Sequence, residues 1–254
     1  MNGPRHYTYV SIDPIESDQQ GRNPSYWVTH VSYGKESEYS KDSPSPYLLP
    51  NEWICGHIAN FLRLPSPPFA VMKNSNGPAL FTNLQFTPEH LPPPDATAAN
   101  CWRVDKHTCT GIFLFDLLVL NHDRKPRNLY VDNPRQPREI LVYDHDDALS
   151  GAMFDGATEY MSKNLDEFLE YHMLMKVIDT DQHFTDWNKR IQSIPDWFLR
   201  ELCNEASEFP GFSKRNAKTC REFLTHRRDN LVATLSKHRN KLEAVKSWLT
   251  LPLM

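Results

Sequence analysis

Hydrophobic and polar residues alternate near the start of the chain and then change to a helical spacing. Two stretches, HYTYVSI and YWVTHVSY, alternate around the polar loop IESDQQGRNP, which predicts a β-hairpin between residues 6 and 33. The polar stretch GKESEYSKDSPSP follows and predicts a flexible connection. The apolar residues of LLPNEWICGHIANFLRL then recur at helical spacing, so we expect a helix that ends at Pro65.

A second hairpin and a proline-rich connection follow this helix. PPFAVMK and PALFTNL flank Asn76-Gly77, a common hairpin turn signal. The stretch from Thr87 to Thr97 contains PEHLPPPDAT and is too rich in proline to form a helix or strand. We therefore expect a small α+β domain over residues 1–96 and a second domain over residues 97–254.

The second half of the chain predicts mainly helices. CTGIFLFDLLVLNHD is an apolar helix with a polar end, and two β-rich segments follow, RNLYVD and EILVYD. From Asn164 onward we expect helices over NLDEFLEYHMLMKVI, TDWNKRIQSI, PDWFLRELCNEAS and the long stretch from AKTC to KSWL. The predicted fold class is α+β.

Composition and charge exclude several classes of protein. The formal net charge of the chain is -4, so no general attraction to nucleic acid or to an anionic membrane is expected. Its five cysteines lack the paired spacing of a zinc site or a disulfide framework. The first residues show no signal peptide, and the apolar run Gly111–Leu120 is too short to span a bilayer. The sequence predicts a cytoplasmic protein with no membrane span.

The polar residues that follow the apolar helix carry the candidate chemistry. Asp123 and Asn128 form D-x-x-x-x-N, the spacing at which a kinase catalytic loop presents its base and a metal-binding amide. Asp144 ends the second β-rich segment, where its carboxylate could bind Mg²⁺ together with the Asn128 amide. Asp123 could accept the proton of an incoming hydroxyl. Arg124, Lys125 and Arg127 make this segment basic, which could steady a phosphate or an acidic substrate.

Two other interpretations of these residues stay open at this point. Asp and Asn are frequent in turns and at helix ends, where they cap backbone groups without any catalytic role. A metal-dependent hydrolase is the second alternative, because histidines and carboxylates cluster in sequence, although no H-E-x-x-H spacing is present. The residues of that alternative site are His122, Asp123, Asp144, His145, Asp146 and Asp147.

Beyond these motifs, five segments resemble the HipA-like kinases in the same order along the chain. They are LLPNEWICGHIANFLRLPSPPFAV, LVLNHDRKPRNLYV, ILVYDHDDAL, IPDWFLRELC and REFLTHRRDNLVATL, and together they span about residues 48–235. The resemblance implies a two-lobed protein-kinase-like fold with a small β-rich N-lobe and a mainly helical C-lobe. It also implies ATP and Mg²⁺ as cofactors, with Asp123 as base and Asn128 and Asp144 as metal ligands.

The resemblance further implies a glutamate that pairs with a lysine on the preceding strand. Glu52 matches that glutamate, and Arg124 matches an arginine that directly follows the catalytic aspartate. The position expected for the lysine holds Thr29 beside His30, and the candidates that could replace it are Lys35, Lys41 and, more weakly, His30. A catalytically silent pseudokinase that binds a partner protein is therefore the alternative function.

The resemblance also bears on substrates and partners. It implies transfer of the ATP γ-phosphoryl group to a hydroxyl of protein serine or threonine, while a small hydroxyl compound stays open as the acceptor. An antitoxin-like protein partner also follows from the resemblance, and direct binding of nucleic acid does not.

Overall fold

A computed structural model describes most of the chain. The described residues are 6–14, 25–30, 37–41, 45–73, 76–84, 97–133, 135–149, 151 and 156–249. The predicted domain boundary, between residues 96 and 97, lies at the edge of residues 85–96, which are outside the described residues. The two-domain division therefore stays a prediction.

Five strands of the first part of the chain close into a small barrel. They are β1 (His6–Pro14), β2 (Ser25–His30), β3 (Ser37–Lys41), β4 (Phe69–Lys73) and β5 (Leu80–Asn83). Their order is β1-β2-β3-β5-β4, and a parallel pairing of β1 with β4 closes the barrel. Both predicted hairpins are confirmed, because β1 pairs with β2 and β4 pairs with β5 in antiparallel fashion.

Strand β3 corrects the interpretation of the polar stretch GKESEYSKD as a flexible connection. Residues 37–41 pair with β2 on one side and with β5 on the other. Ladder hydrogen bonds to two neighbouring strands hold this segment extended although its residues lack an apolar pattern. The strand that directly precedes the first helix is therefore β3.

The first helix, α1 (Leu48–Leu62), packs against the barrel. Gly56 makes this close approach possible, because a Cβ at this position would lie 2.5 Å from the ring of Phe69. Trp53 also meets Phe69, edge to face, with ring centroids 6.0 Å apart. The helix ends at Arg63, whose left-handed backbone (φ 58°) turns the chain just before Pro65.

The rest of the described chain packs around one central helix, α3 (Lys106–Val119), in which every residue from Cys109 to Val119 is buried. Strands β6 (Leu129–Val131) and β7 (Ile140–Val142) form an antiparallel pair beyond its end. The other helices are α2 (Ala98–Val104), α4 (Ala157–Lys163), α5 (Phe184–Gln192), α6 (Asp196–Ala206) and α7 (Lys214–Lys237). Short 3-10 helices occupy Pro126–Asn128, Met173–Lys176 and Arg239–Lys241.

Two helix predictions for the second half are wrong in extent. Residues 164–178 form turns and one 3-10 helix rather than a continuous helix, because the side chain of His172 caps Leu174 and also bonds the distant Asp116. The last helix ends at Lys237 rather than near Leu249. Beyond it the chain is held by contacts to other elements, such as the edge-to-face packing of Trp248 on Phe184.

The structure also bears on the predicted absence of a membrane span. Within the part of the chain that is described, no helix combines the length and the apolar character needed to cross a bilayer.

Candidate active site

The end of α3 creates the turn that presents Asp123. Leu120 adopts a left-handed backbone (φ 52°) that terminates the helix, and the Asn121 N–H donates to the Asp116 carbonyl at 2.9 Å. The Asn121 side-chain oxygen then accepts a hydrogen bond from the Asp123 N–H at 3.0 Å. This local bonding, typical of an Asx turn, fixes the backbone directly before the candidate base.

Asp123 and Asn128 lie side by side in the structure. The Asn128 Nδ2 donates to the Asp123 carbonyl at 2.8 Å and to its Oδ2 at 3.3 Å. Asn128 is buried, whereas about a quarter of the Asp123 side chain is exposed. Lys125 forms an ion pair with Asp123 and is itself largely exposed. The D-x-x-x-x-N motif therefore brings a partly exposed carboxylate, an amide and an ammonium group into one small region.

The pairing of β6 with β7 brings Asp144 to the same region. Leu129 is opposite Val142 in this hairpin, so Asn128 and Asp144 flank the same end of the two strands. Asp144 has a left-handed backbone with φ 65°, which is uncommon for a residue other than glycine and costs of order 1 kcal/mol or more. The strain turns the chain sharply at the residue predicted to bind metal.

Arg124 is placed differently from the sequence-based hypothesis that it contacts a phosphate or substrate. Its guanidinium is fully buried and pairs with Asp116 through Nε–Oδ2 and Nη2–Oδ1 bonds of 2.8 Å each. Its Nη1 donates to the carbonyls of Asn128 and Tyr143. A buried arginine that is saturated by protein acceptors cannot reach a ligand. We therefore correct its role to positioning, because it ties the catalytic loop to the end of β7.

His172 completes the buried group around Asp116. Its Nε2 lies 2.9 Å from Asp116 Oδ2, while its Nδ1 accepts from the Leu174 N–H at 3.1 Å. Because Nδ1 is an acceptor, the proton must sit on Nε2, and the ring is neutral. Burial, the largest influence, lowers the pKa of His172 despite the neighbouring carboxylate. Burial would raise the pKa of Asp116, but the charge and hydrogen bonds of Arg124 hold that pKa well below its usual range.

Asn51 and Glu52 on α1 bind the loop that follows Asp144. The Glu52 Oε2 accepts from the His145 N–H at 3.1 Å, and the Asn51 Nδ2 donates to the Asp146 carbonyl at 2.9 Å. Both side chains are buried. The sequence singled out Glu52 only as a partner for a lysine, and it offered no signal for this second contact, which joins residues 93 positions apart.

The residues predicted to contact nucleotide are only partly described. Thr29 lies on β2, opposite Ser11 and Ser37, and is half-buried. His30 ends the same strand, but its side chain is outside the described residues, as is the whole of Lys35. Lys41 is the last residue of β3, and its backbone is paired in register with Phe81, but its side chain is also outside the described residues. Phe81 lines a concavity together with Glu52, Asn83 and Asp144.

The donor set fits Mg²⁺ held jointly by protein and phosphate oxygens. With the Asn128 nitrogen bonded to Asp123, its Oδ1 is the atom that can act as a ligand, and Asp144 supplies a carboxylate. Mg²⁺ commonly takes one or two protein oxygens and fills its remaining positions with phosphate and water. Among the residues that the structure describes, no group of three or more His, Cys, Asp or Glu could hold a metal ion.

Arg227 on α7 is a structurally important residue that sequence reasoning missed. Its guanidinium donates only to backbone carbonyls, which include those of Leu117 and Leu118 in the last turn of α3 and that of Asn164. Burial lowers the pKa of Arg227 to about 10. This cation satisfies the carbonyls at the C-terminus of α3, and it thereby supports the helix that leads into Asp123.

Comparisons with known proteins agree with this geometry. The Helicobacter pylori proinflammatory kinase CtkA superposes with a TM-score of 0.59 at 16% identity, covering 94% of this chain and 99% of that chain. A chain from the Shewanella oneidensis MR-1 toxin–antitoxin structure of HipA, HipB and operator DNA gives a TM-score of 0.43 at 13% identity, covering 93% and 74%. A search of curated proteins gave no match.

The likeness to CtkA shows a shared fold. The family itself follows from sequence, because the model of the HipA-like kinase family matches residues 43–209, which is more than half of the chain. The chain belongs to the HipA-like kinase family.

Proposed function

We propose that this protein is an ATP- and Mg²⁺-dependent kinase that phosphorylates a serine or threonine hydroxyl of a protein. The observation that carries the proposal is the convergence of Asp123, Asn128 and Asp144 at the joint end of α3, β6 and β7. Phosphoryl transfer asks a protein mainly to position its substrates and to place charge, and these three residues have the chemistry for both tasks.

Each residue has a defined part in the proposed reaction. Asp123 accepts the proton of the acceptor hydroxyl as the hydroxyl oxygen bonds to the γ-phosphorus and the bond to the β-phosphate oxygen breaks, which leaves ADP. Asn128 and Asp144 would hold Mg²⁺, which would supply positive charge to neutralise the phosphates. Lys125, which is exposed and paired with Asp123, replaces Arg124 as the cation that contacts the γ-phosphate.

We assign the phosphate-contacting lysine of the first domain to Lys41. Lys41 lies on β3, the strand that directly precedes α1, whereas Thr29 lies one strand further away. The register partner of Lys41 is Phe81, whose side chain shares a concavity with Glu52 and Asp144. Lys41 is therefore our candidate for the lysine that pairs with Glu52, and the pseudokinase stays the alternative function.

The nucleotide would bind between the domain of residues 1–96 and that of residues 97–254, in a cytoplasmic protein. An antitoxin-like protein is the partner that fits the family, and no direct contact with nucleic acid is part of the proposal.

Transfer of label from γ-labelled ATP tests the proposal. We expect wild-type protein to label itself or a protein in cell lysate, and we expect Asp123→Ala and Asp144→Ala to abolish the label with little change in melting temperature. Asp179→Ala is the matched control, because the Asp179 carboxylate is exposed and pairs with the surface residue Lys106. Label that persists in folded Asp123→Ala protein at the wild-type rate would refute the assigned base.

Calorimetric titration with ATP and Mg²⁺ tests the nucleotide site separately. Lys41→Met should weaken ATP binding at least about tenfold, because a lost contact between a cation and a phosphate is worth more than about 1.4 kcal/mol in a partly enclosed site. Lys35→Met is the control and should bind as the wild type does. Equal losses in both variants would contradict the assignment to Lys41, and no ATP binding by the wild type would favour the pseudokinase.

A further inference from the structure

A second concavity lies beside the loop that carries Asp123. This groove, of about 1040 Å³, runs from His122 and Pro126 along residues 170–176 to residues 241–246. It shares no lining residue with the concavity that holds Glu52, Phe81 and Asp144. The groove is therefore a separate space, and its lining includes Lys125, which pairs with Asp123. An acceptor bound there would lie next to the candidate base.

Part of the groove lining is apolar, although the buried residues Arg124 and His172 also belong to it. Met173 and Met175 are half-buried in its wall, and Pro126 lies on the side of the catalytic loop. Tyr171 belongs to the same lining and is 82% exposed, among the most exposed large hydrophobic side chains of the described chain. Methionine and tyrosine side chains form adaptable contact surfaces for protein segments, and the volume is large enough for several residues of an extended peptide.

Cations are in excess along the groove although the whole chain is acidic. Lys176, Lys241 and Lys246 are exposed and line it, against the two carboxylates Glu170 and Glu243. Within the described part of the chain, none of these three ammonium groups forms a salt bridge.

The contacts that two of these lysines do make leave their charges uncompensated. Lys246 donates to a backbone carbonyl at 3.1 Å, and Lys241 lies 5.5 Å from the ring of Phe168. His122, which also lines the groove, adds no charge near neutral pH because burial lowers its pKa. Three lysines against two carboxylates leave one net positive charge among these exposed side chains, which favours an acidic ligand.

We propose that this groove binds the extended segment of the protein substrate that carries the phosphoacceptor hydroxyl, and that it selects segments with aspartate or glutamate near that hydroxyl. Apolar side chains of the segment would contact Tyr171, Met173 and Met175, while its acidic side chains would meet Lys176, Lys241 and Lys246. The phosphorylation of the bound segment rests on the proposed function, whereas the binding of the segment in the groove does not. A peptide is favoured over a nucleic acid because part of the groove lining is apolar and the chain carries net negative charge.

Peptide binding without catalysis provides the first test. Fluorescein-labelled peptides with one central serine, flanked by apolar residues and either by glutamates or by lysines, would be titrated with the full chain and followed by anisotropy. We expect the acidic peptide to bind at least about tenfold more tightly, since each exposed ion pair contributes about two- to fivefold. The preference should shrink as salt rises, because exposed charges are screened.

Matched lysine variants locate the site. The triple variant Lys176→Gln, Lys241→Gln, Lys246→Gln should lose the preference for the acidic peptide, while Tyr171→Ala should weaken both peptides. The control is the triple variant Lys163→Gln, Lys189→Gln, Lys218→Gln. These three lysines are exposed and lie outside the groove lining, so the control should behave as the wild type. Equal binding of the two peptides by the wild type, an unchanged preference in the groove variant, or tighter binding of a single-stranded RNA than of the acidic peptide would overturn the proposal.

Steady-state phosphorylation then separates the groove from the active site. We expect the groove variant to lower kcat/KM for the acidic peptide about tenfold and to leave the KM for ATP unchanged. If the wild type binds the acidic peptide selectively but transfers no label to it or to itself, the proposed kinase reaction fails while the groove assignment stands. If label is transferred without any acidic preference, the groove assignment fails while the kinase stands.

Discussion

Replacement of Arg124 by methionine tests whether the buried ion pair organises the catalytic loop. Methionine has a similar length but no charge, so it leaves the Asp116 carboxylate buried with only neutral partners. It also removes the donors for the carbonyls of Asn128 and Tyr143. Arg124→Lys is the milder variant, because it keeps the charge but cannot form both bonds to the carboxylate and the carbonyl bonds at once.

The expected loss is large because both side chains of the pair have no solvent exposure. Removal of one partner from a buried ion pair costs about 3–5 kcal/mol, which is a third or more of the total stability of many domains. Arg124→Met should therefore lower the free energy of unfolding by about that amount. The double variant Arg124→Met, Asp116→Leu removes both charges, so it should be more stable than the sum of the two single variants predicts by about 2 kcal/mol or more.

Urea unfolding measures these differences. Tryptophan fluorescence and far-UV circular dichroism should give coincident transitions with similar m-values before the free energies are compared. A loss of less than about 1 kcal/mol in Arg124→Met, or additive effects in the double variant, would show that the pair contributes little and would refute the reasoning.

Three further predictions concern the second half of the chain. Gly111→Ala should lower stability by about 1–3 kcal/mol in urea unfolding, because its Cβ would lie 2.2 Å from the Trp187 indole; equal stability would show that the indole moves freely. Arg227→Met should cost about 3 kcal/mol or more by leaving buried carbonyls unsatisfied, and an unchanged melting temperature would contradict this. The free energy of unfolding should fall as pH drops from about 7 to 5. Burial lowers the pKa of His172 in the folded protein. Below about pH 6.5 the unfolded chain therefore binds a proton on this histidine that the native state excludes. His172→Gln keeps a donor for Asp116 without titrating, so its stability should depend less on pH, and an identical pH profile would contradict the assignment.

Local patterns in the sequence determined the elements that build the site. The apolar run of α3 is buried on all sides, so its composition alone predicted a core helix, and the polar residues after it predicted where the chain leaves the core. The side chains of Asp123 and Asn128 are adjacent in the structure, as their spacing predicted, because one turn and one 3-10 helix connect them. The acid at the end of β7 was predicted from the β-rich segment that precedes it. Short-range geometry of this kind depends on residues that are close in sequence.

Only the tertiary structure decided the roles that depend on distant residues. β3 forms because two strands pair with its backbone, an interaction that its polar sequence does not signal. As a result Lys41, and not Thr29, lies on the strand that directly precedes α1. Arg124 looked like a surface cation in a basic segment, but Asp116 on α3 and carbonyls on two other segments bury it. His172 and Asp116 are 56 residues apart. Hydrogen bonds between residues so far apart in sequence, and the burial of their side chains, arise only when the whole chain has folded. A local sequence pattern therefore does not reveal them.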